Sequence, residues 1–126
     1  MLELKNLVKQ YQKNTVVDNV SLKIKAGEFF CLLGPSGCGK TTILRMVAGF
    51  EKPTSGAVLL NGNDITYSEP YQRDVNTVFQ SYALFPHLNV YENISFGLRL
   101  KKIDKSEINR RVAEIIQITG LTGFDE

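Results

Sequence analysis

The stretch from Phe29 to Thr42 constrains this chain more than any other. Phe29-Phe30-Cys31-Leu32-Leu33 is an apolar run without polar alternation, entered from Gly27-Glu28, the pattern of a central parallel strand covered on both faces. Gly34-Pro35-Ser36-Gly37-Cys38-Gly39-Lys40-Thr41 follows at once and fits G-x-x-x-x-G-K-[ST], with Thr42 continuing it. Glycines in such a loop let backbone N–H groups curl round an anion with no Cβ in the way. Lys40 opens a helix whose N-terminus adds a positive dipole end. It therefore reaches the β- and γ-phosphates of a polyphosphate, while the Thr41 hydroxyl is placed to ligate Mg²⁺. A Gly/Ser turn that happens to precede a helix is the plain alternative, and the apolar strand directly upstream argues against it.

The 126 residues suit one domain or part of one. A net charge of +2, with acids and bases interspersed, gives no basic footprint for nucleic acid, so an anionic ligand must be held locally. Cys31 and Cys38 have neither metal-site nor disulfide spacing, which points to a reducing cytoplasm. The first residues lack a signal-peptide core, and no apolar run approaches the ~20 residues of a span. A membrane link is expected only through a partner.

In chain order, Leu2, Leu4 and Leu7, then Val20, Leu22 and Ile24, alternate with polar neighbours as two antiparallel edge strands. Tyr11 lies in the polar connection, where packing on the hairpin and stacking on a ligand are both open. The helix from Lys40 carries Ile43, Leu44, Val47 and Phe50 as its stripe, and Gly49 with Pro53 ends it. Ala57 to Leu60 is a short strand closed by Asn61-Gly62, with Asp64 and Tyr67 in the loop beyond, Asp64 as a solvated turn residue. Val75 to Phe79 is a further strand ending at Gln80, where α/β folds place ligand-contacting groups.

The apolar loop from Ser81 to Leu88 has the composition of a docking surface, and His87 within it has no catalytic neighbour in sequence. Helices are expected over Val90 to Leu100 and over about Asp104 to Thr119. The second has Asp104 or Ser106 as N-cap, Glu107 as capping-box partner and Ile108, Val112, Ile115 and Ile116 as its stripe, with Gly120 closing it.

With these residues in view, the sequence resembles the nucleotide-binding subunit of ABC transporters over essentially its whole length. Tyr11, ahead of Val17-Asp18-Asn19-Val20-Ser21-Leu22, matches the family's adenine-stacking aromatic, and GPSGCGKTT from Gly34 to Thr42 matches its Walker A. Gln80 matches the Q-loop glutamine that approaches Mg²⁺ and the attacking water, and Ser81 to Asn93 matches the surface that meets the permease. The resemblance thus implies an α/β P-loop NTPase fold with an antiparallel edge hairpin, parallel core strands and the start of a helical subdomain. It also implies ATP and Mg²⁺ as cofactors, permease subunits and a second ATP-binding subunit as partners, and a place at the inner face of the cell membrane. The wording VFQSYALFPH, followed by Val90-Tyr91-Glu92-Asn93, looks most like importers of the polyamine, iron and sugar branch, and Asn76 to Tyr82 most like polyamine importers.

A complete family member continues with an LSGGQ-type signature loop, a Walker B strand ending in Asp-Glu, a D-loop and a switch histidine, and residues 1–126 contain none of them. His87 belongs to the loop after Gln80 and does not match that histidine. The expectation is the N-terminal portion of one ABC ATPase domain, with hydrolysis belonging to the full-length protein. The alternative is a truncated fragment that binds nucleotide or permease without turnover. Phe29 to Leu33 would lack the Walker B strand as neighbour, which predicts unpaired backbone and aggregation.

Overall fold

The computed structural model describes residues 1–79, 81 and 83–123. Two compact units follow one another along the chain, Met1–Thr77 and Val78–Glu126.

The first unit is built on an antiparallel sheet. Strands β1 (Leu2–Tyr11), β2 (Asn14–Ile24), β3 (Ser55–Leu60) and the two-residue β4 (Asn63–Asp64) lie in the order β2-β1-β3-β4. Alternation of apolar and polar residues sets the register, so Leu4 stands opposite Leu22 on one side and Val58 on the other. Asn61 and Gly62 both have positive φ, 51° and 84°, which is the turn geometry that joins β3 to β4 in a tight hairpin. Asp64 is therefore on a short strand and not in an open loop. Its carboxylate accepts both the hydroxyl and the N–H of Thr66, which hold it below its ordinary pKa.

Helix α1 (Lys40–Ala48) packs on this sheet through Ile43 and Met46, which join Leu4, Leu7, Val17 and Val58 in the core. Of the expected stripe, Ile43 and Val47 face the core, whereas Leu44 and Phe50 are exposed and Met46 and Ala48 are buried in their place. The helix ends at Gly49, φ 88°, as its sequence implied.

The parallel core strands expected of this fold are not formed among the described residues. Phe29 to Leu33 carries no strand, and Phe29 and Leu33 are 95% and 88% exposed. Val75 to Phe79 likewise forms no strand. Both runs have strand composition, but a strand exists only where a second backbone runs alongside and exchanges hydrogen bonds in a ladder. The sheet formed by the described residues comprises β1 to β4 and includes neither run. Beside the first run an apolar groove of about 390 Å³, lined by Leu2, Leu22, Phe30, Leu44 and Val47 among others, stays open.

In the second unit α2 (Val90–Leu100) and α3 (Lys105–Thr119) pack together through Ile108, Val112 and Ile116 against Tyr91, Ile94 and Leu98. Ile115, expected in that stripe, is 43% exposed. Asn89 caps α2 with Glu92 reciprocating, and Asp104 caps α3 by accepting from the Ser106 N–H. Glu107 is not a capping-box partner, because Arg110 and Arg111 hold its carboxylate.

Candidate functional site

The loop from Gly34 to Gly39 meets α1 at a backbone position that only glycine fills easily. Gly39 is the N-cap with φ 92°, and a Cβ there would stand 2.6 Å from the Val16 carbonyl oxygen of β2. This close approach seats the loop against the sheet. The first helical bond, Ile43 N–H to Gly39 C=O, is in place at 2.9 Å. Among the described residues no side chain caps the N-terminus of α1, and no acidic residue stands in its first turn. Its leading N–H groups and dipole are left for an external anion.

Lys40 folds back over this loop. Its ammonium donates to the carbonyls of Gly34 and Pro35, each at 2.7 Å, with the Cys38 sulfur at 3.4 Å. The cation is thus held over the loop whose N–H groups would receive a phosphate. Ser36, Gly37, Cys38 and Thr41 are exposed and Thr42 is half-buried, so the motif is open to solvent. Cys31 and Cys38 are both free thiols.

Tyr11 is the last residue of β1, not a residue of the connection beyond it. Its hydroxyl donates to Glu51 at 2.8 Å, and that carboxylate holds the phenol above its ordinary pKa while Lys9 and Tyr11 together hold Glu51 below its own. Gln80 lies outside the described residues. His87 is exposed, its ring edge-on to Phe85 at 6.1 Å. Among the described residues no cluster of His, Cys, Asp and Glu would hold a metal on its own, and no helix is long and apolar enough to cross a membrane.

Two side chains matter here that sequence reasoning passed over. Arg73, 7% exposed, donates to the carbonyls of Met46 and Val47 at the end of α1 and to those of Thr66 and Ser68. It satisfies the last turn of the helix that the glycine-rich loop opens. Asn93 ties residues 85–89 to the start of α2 in the same way, donating to the Phe85, Leu88 and Asn89 carbonyls and accepting from the Phe85 N–H. A lone Arg or Asn in a polar stretch has no periodic signal, since its partners are chosen by tertiary approach.

A glycine-rich loop opening an uncapped helix, with a lysine closed over it, presents backbone N–H groups and a positive charge to one place, the chemistry that suits an anion. The family model for ABC transporters matches residues 17–126. The chain belongs to the ABC transporter family. It is 56% identical over 124 residues, 98% of its length, to the spermidine/putrescine import ATP-binding protein of Rubrobacter xylanophilus, of which it covers 33%. To the like-named protein of Acetivibrio thermocellus it is 52% identical over 99% of its length and 36% of the relative's. To the Fe(3+) ions import ATP-binding protein of Vibrio cholerae it is 52% identical over 98% of its length and 35% of the relative's. The chain therefore spans about a third of the length of these curated relatives. Among solved structures, a dimeric bacterial ABC transporter cassette superposes with a TM-score of 0.83 at 30% identity, over all of this chain and 60% of that one. A dimeric cassette in a post-hydrolysis state bound to ADP and Pi superposes with 0.76 at 30% identity, over 99% of this chain and 60% of that one. The fold is that of an ABC cassette, of which this chain covers a part.

Proposed function

We propose that this ABC family chain is the N-terminal, ATP-binding portion of an importer ATPase subunit, whose full-length form couples ATP hydrolysis to uptake of a solute, polyamines by our assignment. The observation that carries the reading is the Lys40 ammonium closed over the Gly34 and Pro35 carbonyls at 2.7 Å, above an uncapped helix N-terminus. ATP supplies the phosphoryl group and Mg²⁺ the neutralising charge. The N–H groups of Gly34 to Thr42 would bind the phosphates, Lys40 would oppose their charge and Thr41 would hold Mg²⁺. Tyr11 would stack on the base, and Gln80 would position water and Mg²⁺. Ser81 to Asn93 would meet the permease at the cytoplasmic face of the membrane, a second ATP-binding subunit completing the assembly. Polyamine as solute is supported by the names of relatives at 52% and 56% identity.

In the intact subunit Lys40→Ala is expected to lower ATPase activity at least a hundredfold, about 2.7 kcal/mol of lost charge stabilisation. Unchanged phosphate release would overturn the role of Lys40. With the permease in vesicles, spermidine is expected to stimulate hydrolysis and ferric iron to leave it unchanged; the reverse would overturn the solute. A second reading, nucleotide binding without turnover by residues 1–126 alone, is favoured by a loop and helix that form wholly within the first unit. It expects saturable Mg-ATP binding with no phosphate release, and no binding at millimolar ATP would overturn it.

A further inference from the structure

Tyr11 is held from two directions by side chains with no place in the phosphate motif. Glu51 accepts the Tyr11 hydroxyl at 2.8 Å through one oxygen and takes the Lys9 ammonium at 2.7 Å through the other. The same ammonium lies 4.8 Å from the centroid of the Tyr11 ring and donates to the Lys52 carbonyl at 2.8 Å. The Lys9 and Glu51 side chains are drawn in, 13% and 22% exposed, while Tyr11 stays 42% exposed. An exposed tyrosine at a hairpin end would otherwise sample several rotamers, and ordering it on binding costs affinity. Here the hydroxyl anchor sets the ring's tilt and the ammonium covers one face, which leaves the opposite face for a flat ligand.

Glu51 also fixes where that face stands. It follows Gly49 by two residues, and its N–H donates to the Arg45 carbonyl in the last turn of α1 at 3.2 Å. The anchor of the ring and the phosphate loop are therefore carried on opposite ends of one nine-residue helix. A rigid helix holds two subsites at a constant separation, as a base and a polyphosphate in one molecule require.

Building on the nucleotide reading above, we propose that Glu51 and Lys9 are positioning residues that preset the Tyr11 ring, one face open, for the base of the nucleotide whose phosphates bind at Gly34 to Thr42. The test compares Mg-ATP with Mg-tripolyphosphate, which has no base, by titration calorimetry on the intact subunit. Glu51→Ala is expected to weaken Mg-ATP about tenfold and to leave Mg-tripolyphosphate within about twofold. Tyr11→Phe, which keeps the ring and removes only its anchor, is expected to weaken Mg-ATP by about threefold to fivefold. The double variant should be no weaker than Glu51→Ala, because both remove one interaction. Glu51→Gln keeps an acceptor for the hydroxyl and should recover most of the loss. If Glu51→Ala proves too unstable to titrate, Tyr11→Phe breaks the same hydrogen bond from the other side and decides the matter. Mg-ATP affinity unchanged in both variants, or an equal loss for both ligands, would overturn the positioning role. A wild-type subunit that binds neither ligand would overturn the nucleotide reading and this inference with it.

Discussion

At Gly39 the backbone leaves no room for a side chain, since a Cβ would stand 2.6 Å from the Val16 oxygen and the φ of 92° disfavours any L residue. Gly39→Ala is expected to cost the intact subunit about 2 kcal/mol or more. A urea melt should show the midpoint falling at constant slope. Arg73 is the converse case, where the side chain is indispensable. Its guanidinium serves four carbonyls in a buried site, and burial pulls its pKa below the usual arginine value without discharging it. Arg73→Ala would leave those carbonyls unpaired at a cost of about 3 kcal/mol. Arg73→Lys should restore less than half of that, because an ammonium lacks the planar fork. Equal melts for Arg73→Lys and wild type would contradict this account.

Among the elements, α2 and α3 were legible in the sequence almost to the residue, since their caps are local. Asn89 and Glu92 close α2, and Asp104 and Gly120 close α3, each within four positions of what it bonds. The pH behaviour of α3 follows from the same local groups. Arg110 first and then Arg111 lower Glu107 from 4.5 to about 2, and the Ser106 hydroxyl and N–H lower Asp104. A carboxylate depressed on folding stabilises above its unfolded pKa and loses that contribution as pH falls through the folded one. Helix content by circular dichroism is therefore expected to decline from about pH 4.5 towards pH 2. Glu107→Gln should already be lower at neutral pH and flatter across that range. The helix stripe of α1 was less legible: Leu44 and Phe50 fit the 3.6-residue period as well as Met46 does, and only docking on the sheet chose among them.

For the molecule as a whole, the decisive region is the uncovered run from Phe29 to Leu33 beside the open groove. In residues 1–126 its amides are expected to exchange with solvent far faster than those of β1, and a hydrophobic dye should bind. Joined to the rest of the subunit, the same amides should become protected. Slow exchange in the short chain would show that the run is paired without outside help. The amino-acid sequence by itself determined the glycine-rich loop ahead of α1, the helix bounds, the Asn61-Gly62 turn and the pairing of the first two strands. Each is settled by neighbours a few residues away or by a period that one face of a sheet imposes. Tertiary structure alone decided that Arg73 closes α1, that Lys9 and Glu51 grip Tyr11, and that Phe29 to Leu33 stays outside the sheet. Those outcomes depend on partners remote in the chain, and an apolar run becomes a strand only where a second backbone lies alongside to complete its hydrogen bonds.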